Sequence, residues 1–274
     1  MTVGVLAHLL GKQPYDKLAD KVAERGFNYV QLALSKAIAN IDFSLGKLSP
    51  GLANEIGGAF DKKGVGIAVL GCYASLIELD NESYRHNVDR FKEHVRHARH
   101  FGAPIVATEV GVPSDPAQHR QHWERLHRAL EEIVEEAERW GVTIGLEAAD
   151  PHLIGSVDTM AETLERFPSS CVGVVIDPCN LLNAKNFARR DAIIEDAFRK
   201  LGPRIVSAHA KDMKLGEDGG LTNTAAGLGN LNYPQFWSLL EAHKPHGFVT
   251  LEDVREEQME AASRFVREGR AAAR

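Results

Sequence analysis

Four side chains able to do chemistry stand at the same place in four successive apolar runs. Glu147 closes VTIGLE, Asp177 closes VGVVID, His209 closes RIVSAH and Glu252 closes GFVTLE. If the four converge, the carboxylates repel one another by roughly 4 kcal/mol for a pair ~4 Å apart, even at an effective dielectric of about 20. A bound divalent cation removes that cost. Three oxygens and one imidazole make a hard site, suited to one Mn²⁺ first, with Mg²⁺, Co²⁺ or Zn²⁺ as alternatives; structural zinc favours Cys and His. The competing reading is four separate ion pairs. Agreement in phase among four independent runs favours the metal.

The runs belong to a longer pattern. Eight short apolar or β-branched segments recur along the chain: VGVLAHL from Val3, NYVQLAL from Asn28, VGIAVLGC from Val65, PIVATEVG from Pro104, VTIGLEAA from Val142, VGVVIDPCN from Val172, RIVSAHAKD from Arg204 and GFVTLED from Gly247. Amphipathic stretches such as YDKLADKVAERG, VDRFKEHVRHARHFG, WERLHRALEEIVEEAERWG and PQFWSLLEAHK separate them. Gly26, Gly64, Gly102, Gly141 and Gly202 punctuate the ends of helices. Strands apolar on both faces indicate a parallel sheet covered by helices, and eight βα units close naturally into a (β/α)8 TIM barrel, a single domain over residues 1–274. An open doubly wound sheet is the alternative, but HLLGKQP, the first βα turn, lacks GxGxxG.

In such a barrel the active site forms at the C-terminal ends of the strands. That selects further candidates for substrate contact: His8, Glu109, His152, Asn180 and Lys211, with Gln31 and Asp150 nearby. His8 either packs the mouth or touches substrate. Lys211 either pairs with a neighbouring carboxylate or meets an anionic substrate group. The stretch GEDGGLTNTAAGLGN reads as an irregular active-site loop, too rich in glycine for regular structure and without the GK[ST] of a phosphate loop. His94, His97, His100, His119 and His122 fall on helices and are expected on solvated faces.

Composition sets the outer limits. Hydrophobic residues make up 44% of the 274 and charged residues 26%, the balance of a globular chain with a sizeable core. The formal charge of -6 gives no support to a nucleic-acid partner, and no run reaches the length of a membrane span. Cys72, Cys171 and Cys179 form no CxxC pair, and the N-terminus has no leader pattern, so a cytoplasmic location is expected.

Together GLEAAD, VVIDPCNLL, SAHAKD, GLGNLNYPQFW and TLED resemble the xylose isomerase-like TIM barrels over nearly the whole chain. That superfamily holds sugar isomerases and epimerases, inosose dehydratases and endonuclease IV-type repair enzymes. The resemblance implies a sugar or polyol substrate, a possible homo-oligomer, and one metal on Glu147, Asp177, His209 and Glu252. In the family's ketose 3-epimerases the two glutamates also exchange the proton on opposite faces of the sugar, a role falling here on Glu147 and Glu252. A metal on a ketose carbonyl and hydroxyl acidifies the adjacent C–H and stabilises an enediolate, so a metal-dependent isomerase or epimerase is expected. A dehydratase-like lyase would use the same chemistry to expel hydroxide. The endonuclease reading needs three metals and extra histidines, where this chain offers Cys72, Tyr73, Thr108, Glu109 and Asn180. The chain also departs from the 3-epimerases: Asn180 stands for a substrate-binding histidine, and Lys211 to Lys214 occupy the region of an arginine.

Overall fold

The computed structural model describes residues 2–217 and 219–274. Among these, eight parallel strands close into a barrel: β1 (Gly4–Leu6), β2 (Tyr29–Leu32), β3 (Gly66–Gly71), β4 (Ile105–Thr108), β5 (Thr143–Glu147), β6 (Val172–Ile176), β7 (Ile205–Leu215) and, after one further strand, β9 (Phe248–Leu251). Closure is made where Val5 pairs with both Val30 and Leu251, and where β6 meets β7 at Ile176 and Ala208.

The helices around it are α1 (Tyr15–Glu24), the single turn α2 (Leu34–Ala37), α3 (Pro50–Asp61), α4 (Asn81–Ala98), α5 (His119–Trp140), α6 (Val157–Arg166), α7 (Arg190–Leu201), α8 (Tyr233–His243) and α9 (Met259–Ala272). Their boundaries follow local chemistry. Ser49 accepts from the Leu52 N–H with Pro50 in the first turn, Asp80 accepts from Ser83, and Ser156 forms a capping box with Thr159. Gly141 ends α5 at φ 63, a left-handed conformation that suits glycine. Gly202, expected to do the same, instead sits at φ -45 and leads from α7 into a 3-10 turn, where a Cβ would meet the His243 ring at 2.4 Å.

Most of the core lies between strands and helices, in a large cluster including Leu18, Phe60, Phe91, Ile133 and Trp237. A smaller cluster of Tyr29, Val69, Ile105, Ala107 and Val175 fills the barrel, with Phe248 packed against it. Tyr29 meets the Phe248 ring edge-on at 5.1 Å, donates through its hydroxyl to Val249 O and accepts from Val249 N. A Cβ on Gly4 would strike the Tyr29 ring at 2.3 Å, so glycine there gives the ring its room. This apolar plug is the floor of the site above it.

Two expectations change. The glycine-rich stretch is irregular only in part: β8 (Leu221–Ala225) pairs antiparallel with the outer half of β7, Lys211 with Ala225 through Leu215 with Leu221, and turns flank it among the described residues. Thr222 and Thr224 supply strand-forming residues between the glycines. Nor are all the helix histidines solvated. His94 and His122 are buried; His94 Nδ1 reaches Arg90 O at 2.9 Å and His122 Nδ1 reaches Ile77 O at 2.8 Å, backbone partners that make burial tolerable.

Candidate metal centre

Side chains alternate along a strand, so β7 sends Ser207, His209 and Lys211 to one face and Ala208, Ala210 and Asp212 to the other. His209 and Lys211 thereby share the barrel interior. Glu147 is the last residue of β5, while Asp177 and Glu252 each follow their strand by one position. Closure turns these four strand ends toward one point. One ligand atom from each of Glu147, Asp177, His209 and Glu252 lies within 4.8 Å of all the others.

The inner atoms are gathered closely enough to hold a metal ion. His209 Nδ1 is 2.8 Å from Glu252 Oε2, 3.4 Å from Glu147 Oε1 and 3.6 Å from Asp177 Oδ2. Yet His209 Nδ1, Asp177 Oδ2 and Glu252 Oε2 have no aligned hydrogen bond among the described residues, although all three are buried. Orphaned buried polar atoms are costly. A cation with bonds of ~2.1 Å would satisfy them together, since opposite ligands then stand roughly 4 Å apart. The residues present fit a divalent ion.

Surrounding groups hold the four side chains in place. His209 Nε2 contacts Gln31 Oε1 at 2.9 Å, and Gln31 Nε2 donates to the Tyr73 hydroxyl at 3.2 Å. With the Gln31 amide so oriented, the imidazole proton belongs on Nε2 and leaves Nδ1 as the ligand. Asp177 Oδ1 accepts from the N–H groups of Cys179 and Asn180. Asn180 Nδ2 donates to Glu147 Oε1 at 2.6 Å. Lys211, buried, stands 3.2 Å from both Asp177 Oδ2 and Glu252 Oε1 and 3.7 Å from Asp253 Oδ2. Of the three ligand carboxylates, one negative charge is thus offset by Lys211, and a divalent cation cancels the rest.

Electrostatics separate the two glutamates. Burial, reinforced by Glu252 and Asp177, pushes Glu147 up to about 7 despite the pull of His209. Burial also acts on Glu252, but His209 and Lys211 outweigh it and hold that carboxyl well below its ordinary range. His209 and Lys211 are driven upward by the same carboxylates against the opposing effect of burial.

Asp253, next to Glu252, is one of two described non-glycine residues with positive φ, at 48°. Asparagine and aspartate tolerate this region best. Its carboxylate accepts from Asn223 Nδ2 on β8 at 2.7 Å, tying the hairpin to the end of β9. On the outer face of β7, Asp212 accepts from the N–H groups of Met213, Gly227, Gly229 and Leu231, which gathers the chain after β8 into a fixed loop.

Residues 19–269 match the xylose isomerase-like TIM barrel family. The chain belongs to that family. No curated protein matches the sequence significantly. Among solved structures it is similar to a D-tagatose 3-epimerase-like protein, at 19% identity and a TM-score of 0.78, over 100% of this chain and 98% of that one. It is also similar to D-psicose 3-epimerase with D-tagatose from Clostridium cellulolyticum H10, at 16% identity, TM-score 0.75, over 100% and 99%. A xylose isomerase-like TIM barrel protein from Mycobacterium smegmatis in complex with magnesium gives 17%, 0.75, 99% and 96%. At such identities the likeness is one of fold.

Within this xylose isomerase-like barrel, the remaining candidates divide. Asn180 and Lys211 touch the ligand carboxylates directly. His8, after β1, is half-buried with its Nδ1 unpartnered among the described residues. Glu109 is half-buried just beyond β4 and acts electrostatically on Tyr73 rather than touching the four ligands. His152 Nδ1 accepts from the Gly111 N–H at 3.1 Å and so joins two loops. Asp150 likewise accepts from Asn183. Gln31 lies near the mouth by its strand position, but its partnership with His209 follows only from barrel closure, and only spacing from His209 in β7 marks Asp212 as facing outward.

Proposed function

We propose that the chain is a divalent-metal-dependent isomerase or epimerase of a sugar or polyol, with Glu147 and Glu252 as its acid–base pair. The observation that carries this reading is the group Glu147, Asp177, His209 and Glu252, the first three buried and the last half-buried, in which His209 Nδ1, Asp177 Oδ2 and Glu252 Oε2 lack an aligned hydrogen bond. When bound, the cation would supply Lewis-acid polarisation of a ketose carbonyl and the neighbouring hydroxyl. One Mn²⁺ is our first choice, because oxygen dominates the donor set and one imidazole is included.

The chain's own groups supply the proton transfers. Asn180 aims Glu147 by holding Oε1, and Lys211 holds Oε1 of Glu252. In barrel order, β5 and β9 are separated by β6 and β7, so the two carboxylates approach a bound carbon from different sides. One takes the proton beside the carbonyl and the other returns it; return to the same carbon inverts it, and return to its neighbour moves the carbonyl. The apolar floor below excludes water from that side. A small sugar or polyol suits this polar, barrel-end site, and the similarity to epimerase structures supports it.

Incubation of the metal-loaded protein with ketoses in deuterated water should give metal-dependent deuterium uptake at carbon. Glu147→Gln should abolish it while circular dichroism stays unchanged. Absence of exchange across a broad ketose and inosose panel, with one metal bound per chain, would sink the reading. Loss of water from the product would convert it to a lyase.

A further inference from the structure

The metal ligands come from β5, β6, β7 and the end of β9, one half of the mouth. The other half, above β1 to β3, carries polar groups with no part in the acid–base chemistry. Lys36, on the turn α2 that follows β2, holds its ammonium 3.8 Å over the ring of Tyr73, which follows β3. Tyr73 is fixed in turn by Gln31, the residue that orients His209. A chain of contacts therefore runs from the metal centre to the Lys36 ammonium.

Lys36 has no carboxylate partner among the described residues, Glu109 at the end of β4 included. Lys211, by contrast, is surrounded by three acids. His8 is the nearby complement: its Nδ1 is buried and unpartnered, and burial first, then the Lys36 charge, lowers its proton affinity despite the opposing fields of Glu252 and Asp253. An unpartnered ring nitrogen and an unpaired ammonium on neighbouring strand ends leave one kind of group unsupplied, an oxyanion.

We infer that Lys36 and His8 form a subsite for the anionic end of the substrate, so that the substrate is a ketose or keto-polyol carrying a terminal phosphate or carboxylate. This rests on the proposed function for the other end of the molecule. The reacting carbon lies over β5 to β9 and the anion over β1 to β3, with the substrate spanning the mouth. Tyr73 is a positioning residue, holding the ammonium by cation–π attraction.

The test is calorimetric binding to the Mn²⁺-loaded full chain of three probes: D-fructose, D-fructose 6-phosphate and D-fructuronate. At least one anion should bind about tenfold tighter than D-fructose, the scale of a charge-assisted contact. Lys36→Met should erase most of that ratio and Lys36→Arg should retain it. Preference for the phosphate or for the uronate assigns which anion the site takes. Equal binding of all three probes, no binding of any, or a ratio unchanged by Lys36→Met overturns the subsite. Deuterium exchange measured on the same samples separates the two readings. Anion preference without exchange on any sugar sinks only the isomerase assignment, whereas exchange on neutral ketoses without anion preference sinks only the subsite.

Discussion

Asn180 Nδ2 donates to Glu147 Oε1 at 2.6 Å, so the residue three positions after Asp177 steers the carboxylate of Glu147. The backbone N–H of the same Asn180 binds Asp177 Oδ1, and one residue thereby sets both carboxylates. Removing the amide in Asn180→Ala is expected to slow deuterium exchange by about 10- to 100-fold, the usual scale for groups that orient ligands. Asn180→Asp should be worse, because it places a like charge against Glu147. Wild-type exchange rates in both variants would show that Glu147 needs no such guidance.

Gln31 should matter for metal more than for folding. Gln31→Leu deletes the acceptor that fixes the His209 tautomer, and metal affinity should fall by about 10- to 100-fold, read by competition with a fluorescent chelator. Gln31→Glu keeps an acceptor and should retain more affinity. Equal affinity in Gln31→Leu and wild type would remove His209 orientation from the account.

Stripping the metal should cost stability as well as activity. Ions that bind only the folded chain stabilise it by roughly 2.7 kcal/mol at one hundred times their dissociation constant. Chelation should therefore lower the thermal midpoint, and Mn²⁺ should restore it. In Glu252→Gln, which loses a ligand charge, the Mn²⁺ response should shrink. A midpoint indifferent to both chelator and Mn²⁺ would argue against a bound ion.

His94 gives a pH dependence remote from the site. Burial first, and the Arg90 and His97 charges with it, lower its proton affinity from the ordinary 6.5 to about 4, against the opposing bond to Arg90 O. Between those values the unfolded chain binds a proton that the native chain refuses, so stability is full above pH 6.5 and falls as pH drops toward 4. The loss amounts to roughly 3 kcal/mol for this group. Urea denaturation from pH 7.5 to 4.5 should show a shallower decline in His94→Gln than in wild type. Parallel declines would assign the acid sensitivity elsewhere.

The strand ends were legible because alternation and apolar runs are local properties. VTIGLE, VGVVID, RIVSAH and GFVTLE each mark a buried strand stopped by an ionisable group, and four in one phase imply a common layer of the barrel. The eight-unit repeat likewise declares a closed parallel sheet, which pairs as expected. What escaped the sequence depends on distance through space. The hairpin of β7 and β8 was hidden by its glycines, because pairing rather than propensity makes it. His94 and His122 sit on helices whose polar composition concealed which side faces the sheet.

The sequence by itself determined which residue types line the C-terminal mouth. Only the tertiary structure decided their partners: Gln31 with His209, Asn180 with Glu147, Lys211 among three acids and Asp212 turned away to hold a loop. The reason is physical. Side-chain direction in a strand is fixed by the next residue, but a hydrogen bond between residues far apart in the chain exists only once closure of the barrel has brought them within reach.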